Sequence, residues 1–456
     1  YWSMEEEFMS KKQWKESIEK FFIGFILFQP LLDISAYFGL PVSEVVRMAA
    51  LGIGGIYLLF LAKRDKKVIL YFSLLGGYTI IHLLVNFVLK EPYSLIDETI
   101  YTVKTLYFVV LLLVYVKVLQ SFQKNPKWKQ IIFRNVTWSI ATIVVVLGIA
   151  EITDTGKRSY NMLAKSGHTG WFFSGNELSA IMAMGLAFFT YQIIHLSSKN
   201  KLWRWLSIIP LLLTSWAMMT IGTKVGFGSL IIITVVVIGY LTFVSIKQSK
   251  IHFHLKTWII ILIGIIAFTP VTAIGQNLNI NYPDNLNVPS TLVKKTNKAN
   301  EELVPVKVLS GREDFLNEAI RQYKEAPLVQ QVFGMGLGGN YKQEAKLVEM
   351  DFFDLFFNFG MAGFLLLLAP VLYFMWTTLK NIYYTKKITF ELTLIVISIG
   401  LGLGTAFVAG HVLSSPAASF YLALAIAFCT VISFQWRSRG YIYEKKNSAH
   451  KHDVSI

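Results

Sequence analysis

The chain has 456 residues, 54% of them hydrophobic and 14% aromatic, with only 16% charged and a mean hydropathy of +0.51. Soluble domains carry about 25% charged residues, and a membrane-crossing helix needs about 20 apolar ones. Segments of that kind recur from residue 19 to residue 436, which excludes a soluble enzyme, a disordered chain and a single-pass receptor. A single cysteine, Cys429, excludes a disulfide scaffold and Cys-based zinc or iron–sulfur sites. The formal charge of +15 would point a soluble protein toward nucleic acid; in a polytopic membrane protein it is first a question of topology.

Tyr1, Trp2 and Ser3 precede Met4 and are set aside. Met4 to Lys20 is charged and amphipathic, so no cleavable signal is expected there, and the first apolar segment is expected to supply targeting. The expected fold is an all-α polytopic membrane protein with about twelve spans. They fall near 19–38, 43–62, 68–89, 98–118, 131–152, 171–196, 203–221, 224–246, 257–275, 352–376, 388–410 and 415–436. With both termini inside, seven basic groups fall on the inner side: Lys11–Lys20, Lys63–Lys67, Lys117–Lys129, Lys199–Arg204, Lys247–Lys256, Lys380–Lys387 and Arg437–Lys451. The short outer links carry few cations, which is the positive-inside pattern and accounts for most of the net charge without nucleic acid. The organisation is an inner segment 1–18, spans 19–275, an outer loop 276–351, spans 352–436 and a basic tail 437–456.

Two outer segments are longer than simple links: 153–170, and 276–351, which is Asn-rich from Asn277 to Asn300. Within the latter, Arg312 to Ala326 is predicted as an amphipathic helix with Phe315, Leu316, Ala319, Ile320 and Tyr323 on its apolar face. A Gly-rich turn follows from Phe333 to Asn340. Polar residues within the spans lie toward the outer side: Asp33, Arg47, His82, Asn86, Lys104, Glu151, Asn176, Glu177, Lys224 and His411. Some are expected as buried pairs, Asp33 with Arg47 among them. The skew of the whole set implies a water-accessible charged cavity open to the outer leaflet.

Such a cavity suits a phosphate-bearing lipid. Arg312 and Arg321, about two helical turns apart, and Lys224 at a helix start are candidate phosphate ligands, Arg through a bidentate fork and Lys as a point charge. The N–H groups of the Gly-rich turn are a second way to hold a pyrophosphate. Of the acids where the loop returns to the tenth span, Asp351 and Asp354 fall in a first helical turn and are expected to cap it. Glu349 precedes the helix and is the better candidate to take a proton from a hydroxyl nucleophile. None of the acidic spacings is specific to a metal.

Three stretches, Ser310-Gly311-Arg312, Phe333-Gly334-Met335-Gly336 and Glu349-Met350-Asp351 with Gly360 eleven residues after Glu349, follow one another in the order of the O-antigen ligase and polymerase superfamily. Thr220–Phe227 resembles its Ser/Thr-rich element ending in a basic residue, and Ser174–Leu178 resembles an Asn-containing element in an earlier helix. The chain departs from the family in having Lys224 for the usual Arg and Glu349 for the usual His. The resemblance implies a GT-C-type helical membrane glycosyltransferase that needs no metal or other cofactor and acts with inversion. The donor would be a glycan on undecaprenyl pyrophosphate in the outer leaflet, and the acceptor a sugar hydroxyl. It implies Arg312 and Lys224 at the donor pyrophosphate and Glu349 at the acceptor hydroxyl; Arg321 is expected beside them at the pyrophosphate, and Asn176, Glu177, Asp351 and His168 are expected in supporting or acceptor positions. A composition rich in Lys, Ile and Asn points to a low-GC Gram-positive source without lipid A, which favours a polysaccharide polymerase over a ligase. A flippase of lipid-linked saccharides is the main alternative, and no repeat between the halves supports it. A sensor or scaffold would need a signalling domain that neither terminus has room for.

Overall fold

The computed structural model describes residues 2–62, 65–160, 165–197, 206, 208–249, 253–279, 312–341 and 345–453. Ser310, Gly311, the Asn-rich stretch after Asn279, and the basic residues Lys63, Arg64, Lys199, Lys201, Arg204 and Lys250 lie outside the described residues.

The described residues are almost entirely helical. The helices are α1 (Trp2–Tyr37), α2 (Val42–Ile56, continued by a π-helical turn Tyr57–Leu61), α3 (Lys66–Leu89), α4 (Leu95–Phe122) and α5 (Trp128–Ile152). A two-stranded antiparallel ribbon follows, β1 (Lys157–Arg158) with β2 (His168–Gly170). Then come α6 (Gly175–Ser197), α7 (Ile208–Thr220), α8 (Lys224–Lys247), α9 (Phe253–Phe268) and the short α10 (Ala273–Asn279). The helices of the long loop are α11 (Arg312–Glu325) and α12 (Leu328–Phe333), followed by α13 (Asp351–Thr385), α14 (Phe390–Val408) and α15 (Pro416–Asp453).

Among the described residues, ten helices are long and apolar enough to cross a membrane. Of the other two expected spans, the first is the second half of α1, and the seventh is described as the 13-residue α7. The centre of the bundle is α15, buried without interruption from Ala417 to Ser433 and packed on α4, α13, α14 and α6. Ala417, Ala418, Ala423, Ala425 and Ala427 let neighbouring backbones approach closely, and Phe420 and Phe428 fill the gaps against Tyr115 and Phe133. By contrast, α2, α3, α8 and α9 present exposed apolar side chains such as Phe60, Phe87, Phe243 and Ile260, the surface a lipid phase would cover.

Side-chain links gather helix ends at one end of the bundle, the loop end. Tyr37 Oη on α1 donates to the Thr155 carbonyl after α5 (3.2 Å), and Ser159 Oγ donates to the Ile221 carbonyl after α7 (2.6 Å). Ser415 before α15 donates to Glu177 in the first turn of α6. The loop 153–170 is therefore fixed onto the turn that precedes α8.

One expected continuous span is broken. Helix α13 contains a non-helical residue, Gly360, at φ 65° and ψ 179°. The break frees the carbonyls of Phe357 and Asn358, which accept hydrogen bonds from Met335 N (3.1 Å) and Gly336 N (2.9 Å) of the Gly-rich turn. A Cβ on Gly360 would stand 2.4 Å from Gly334 N, so only glycine permits this approach. Non-helical backbone in a membrane protein persists where protein buries and satisfies it, and here the Gly-rich turn does so.

Candidate active site at the loop end

Helix α11 forms where expected, but its apolar face divides. Leu316, Ala319, Ile320 and Tyr323 pack against Met335, Val348, Met350 and Phe357. Phe315 turns aside, with Lys346 Nζ 4.0 Å above its ring. This packing places Arg312, the first residue of α11, next to Glu349, the second residue before α13. Arg312 Nη2 donates to Glu349 Oε2 at 3.3 Å; the Arg312 side chain is 12% exposed and that of Glu349 48%. The Arg312 Nε–H is buried and makes no hydrogen bond among the described residues. Glu349 is held at φ 60°, a left-handed conformation that a non-glycine residue adopts only where its surroundings impose it.

Those surroundings are built by the two aspartates. Asp354 accepts from the N–H groups of Val348 (2.8 Å) and Met350 (3.2 Å), bracketing Glu349. Asp351 accepts from His411 N (3.1 Å), Val412 N (2.7 Å), Leu413 N (2.8 Å) and Ser414 Oγ (3.0 Å). Both were expected to cap the start of their own helix. Instead they tie down the backbone before it and the α14–α15 link beside it. Gly410 in that link packs so closely that a Cβ there would stand 2.6 Å from the Glu349 carbonyl oxygen.

Three cations converge on this place. Lys224 opens α8 and is exposed, with Thr223 capping the helix by accepting from Gly226 N at 3.1 Å. A helix N-terminus carries partial positive charge and favours anions. Lys165 reaches in from the loop 153–170. Burial pushes its ammonium below the ordinary lysine range, and the nearby charges of Lys224 and Arg312 act in the same sense. Its Nζ lies 4.9 Å over the Tyr160 ring, and Tyr160 Oη donates to the Gly222 carbonyl (3.2 Å), next to the start of α8. Lys165 was missed in the sequence. The available signal was a cluster of Lys157, Arg158 and Lys165 in an outer loop, against the charge bias of the rest of the chain.

The remaining expected residues are distributed differently. Arg321 is nine residues from Arg312, two and a half turns, so the two leave opposite sides of α11. Its guanidinium is occupied by Glu318 (2.7 and 3.0 Å) and Glu325 (3.4 Å) on its own helix. Asn176 and Glu177 open α6, and Glu177 is joined to Ser415 and lies in the field of the Asp33–Arg47 pair and Lys104. That pair forms as expected, at 2.7 Å. His168 is engaged on both ring nitrogens, Nδ1 accepting from Gly170 N (3.1 Å) and Nε2 facing Glu151. Burial pushes this imidazole below its ordinary value, against the pull of Glu151.

Five N–H groups of the Gly-rich turn are already engaged within the protein. Gly334, Met335, Gly336 and Gly339 donate to backbone carbonyls, and Leu337 N donates to Glu98 Oε2 at 2.9 Å. Lys90 and Glu98 form a buried ion pair beneath it, with side chains 1% and 3% exposed, and Lys90 also donates to the Leu337 carbonyl (2.7 Å). The turn is an anchor for the outer loop. Among the described residues, no three His, Cys, Asp or Glu side chains are grouped to hold a metal ion.

The arrangement is thus a cationic cradle of Arg312, Lys224 and Lys165, with a half-exposed carboxylate at its edge. It can hold a diphosphate and offer a base to a hydroxyl next to it. No curated protein matches the chain. Residues 15–433 match the family described as O-antigen ligase like membrane protein, and the chain belongs to that family.

Proposed function

We propose that the protein is a membrane glycosyltransferase that takes a glycan from undecaprenyl pyrophosphate at the outer face of the membrane and transfers it to a sugar hydroxyl. The reading carries twelve spans, both termini inside and the loop end outside. A polysaccharide polymerase is the favoured form. The observation that carries it is the convergence of Lys224, Lys165 and Arg312 beside Glu349, with a buried Arg312 Nε–H left over for an acceptor oxygen.

In the reaction, the acceptor oxygen attacks the anomeric carbon from the face opposite the leaving group. The anomeric carbon–oxygen bond to pyrophosphate breaks, and configuration inverts. Negative charge develops on the departing pyrophosphate, where Arg312 supplies a fork and Lys224 and Lys165 supply point charges. Glu349 accepts the acceptor proton. Arg312 is shared: the diphosphate competes with Glu349 for its guanidinium, so donor binding frees the carboxylate.

The test uses purified protein in liposomes with lipid-linked repeat units. Longer lipid-linked chains identify a polymerase, and transfer to a different acceptor identifies a ligase. Movement of the lipid-linked unit across the bilayer without bond formation would replace this reading with a flippase.

A further inference from the structure

Beside the cationic cradle lies a cavity of about 880 Å³ that the reaction as described does not use. Ligand sites usually measure about 300–1,000 Å³, so its size is that of a binding site. Its walls are α11, the Gly-rich turn and the return segment 345–348, and its floor is the start of α13.

The lining excludes two ligand classes. Phe315 and Tyr341 offer aromatic faces, but Gln322, Asn340 and Asn358 interrupt them with amides, so the cavity does not suit a lipid tail. Its cations, Arg321 and Lys346, are outnumbered by Glu318, Glu325 and Asp354, and Arg321 is already paired with Glu318 and Glu325. The balance gives no field for a diphosphate or a polyanion. Amide side chains present donors and acceptors together, as a ligand built of hydroxyl groups requires. Aromatic rings add apolar area at low entropic cost, suited to the C–H face of a pyranose.

The position is as informative as the lining. The lining from α11 runs from Phe315 and Glu318 through Arg321 and Gln322 to Glu325, so the cavity follows the helix from the turn after Arg312 to its far end, on a flank about a quarter turn from the Arg312 side. Val348 lines the cavity, and the next residue, Glu349, holds Arg312. The turn is shaped to leave this space open. A Cβ on Gly339 would stand 2.7 Å from Gln322 Oε1, and one on Gly338 would stand 2.7 Å from Lys346 N.

We infer that this cavity is the acceptor subsite: it holds an uncharged stretch of saccharide beside α11 and presents its terminal hydroxyl at Glu349, with Arg321 acting there and not at the donor. The inference rests on the glycosyltransferase reading above.

The test separates binding from chemistry. In a Cys429→Ala background, Gln322→Cys places a single thiol in the cavity wall, and its rate of maleimide labelling is measured in liposomes. The probe is the free saccharide released by mild acid from extracted lipid-linked repeat units. The subsite predicts that saturating saccharide slows labelling at least tenfold, while undecaprenyl pyrophosphate alone leaves the rate unchanged. Slowing by undecaprenyl pyrophosphate and not by saccharide would make the cavity a donor site; no slowing by either would leave it without the proposed ligand. Both results overturn the inference. In parallel, Gln322→Ala and Tyr341→Ala should raise the KM for acceptor about tenfold with the KM for donor unchanged. Equal KM values for variants and wild type would also overturn it. If wild-type protein forms no glycosidic bond while saccharide still slows labelling, the glycosyltransferase reading fails and the saccharide site stands.

Discussion

Arg312 and Glu349 are 37 residues apart in sequence and meet at 3.3 Å, joining the first residue of the outer-loop helix to the strained residue just before α13. The contact makes one unit of a cation that can hold a phosphate and a carboxylate that can take a proton. Changes to the two partners should therefore have different signatures.

Arg312→Lys keeps the charge but loses the fork. Turnover should fall about tenfold or more, and the KM for donor should rise, although the net charge is unchanged. Kinetics on lipid-linked donor, with the melting temperature as a control for folding, check this.

Glu349→Gln preserves shape and removes the base. General-base help is worth about 10²–10⁴-fold in rate, so turnover should fall by that order while donor binding and melting temperature stay close to wild type. Asp351→Asn and Asp354→Asn should behave in the reverse way. Each removes a buried carboxylate that accepts several hydrogen bonds, a loss of about 1–3 kcal/mol. They should lower the melting temperature, and they should impair turnover only as far as the 410–415 link and Glu349 shift. Turnover and melting temperature measured side by side on the three variants separate the roles.

Lys165→Gln should weaken donor binding about tenfold and flatten its dependence on salt, because one of three convergent charges is removed. Arg321→Gln should leave donor affinity unchanged, since its guanidinium leaves the other side of α11 and is held by Glu318 and Glu325. Donor titrations at two ionic strengths check both.

Lys90→Met should destabilise the protein by about 3–5 kcal/mol, because it leaves the Glu98 carboxylate buried without its partner. The double variant Lys90→Met, Glu98→Leu should recover part of the loss. Melting temperatures of the single and double variants decide this, and proteolysis of the outer loop should report its detachment from α3 and α4 in the single variant.

Single-cysteine labelling in the Cys429→Ala background tests orientation. Lys324→Cys on α11 should label in intact cells, and Lys380→Cys at the far end of α13 only after permeabilisation. The opposite pattern would invert the topology.

The helices were legible because apolar runs about 20 residues long leave few alternatives, and the amphipathic spacing from Phe315 to Tyr323 fixed α11 to within a residue. Arg312 and Glu349 were singled out by position and by the family resemblance, and the fold brings them within 3.3 Å of each other, a contact the sequence did not announce. Three further features were not legible. The break at Gly360 depends on the Gly-rich turn docking into it, a contact between segments that local pattern does not encode. The same docking uses the N–H groups of Met335, Gly336 and Leu337, so these positions of a motif that reads as a phosphate cradle serve as an anchor. Lys165 belongs to a loop whose place beside Lys224 is set by Ser159, Tyr160 and Ser166 bonding to the 220–223 turn and to Asn277, all distant in sequence.

The central claim is that glycosyl transfer occurs where Arg312 meets Glu349. The most direct measurement is release of undecaprenyl pyrophosphate and formation of the glycosidic bond, followed together in liposomes for wild type and Arg312→Ala at matched expression and melting temperature. The account predicts both products from wild type in equal amounts and a loss of both, by about 10²-fold or more, in Arg312→Ala. Wild-type rates of both products in a stable Arg312→Ala protein would contradict it.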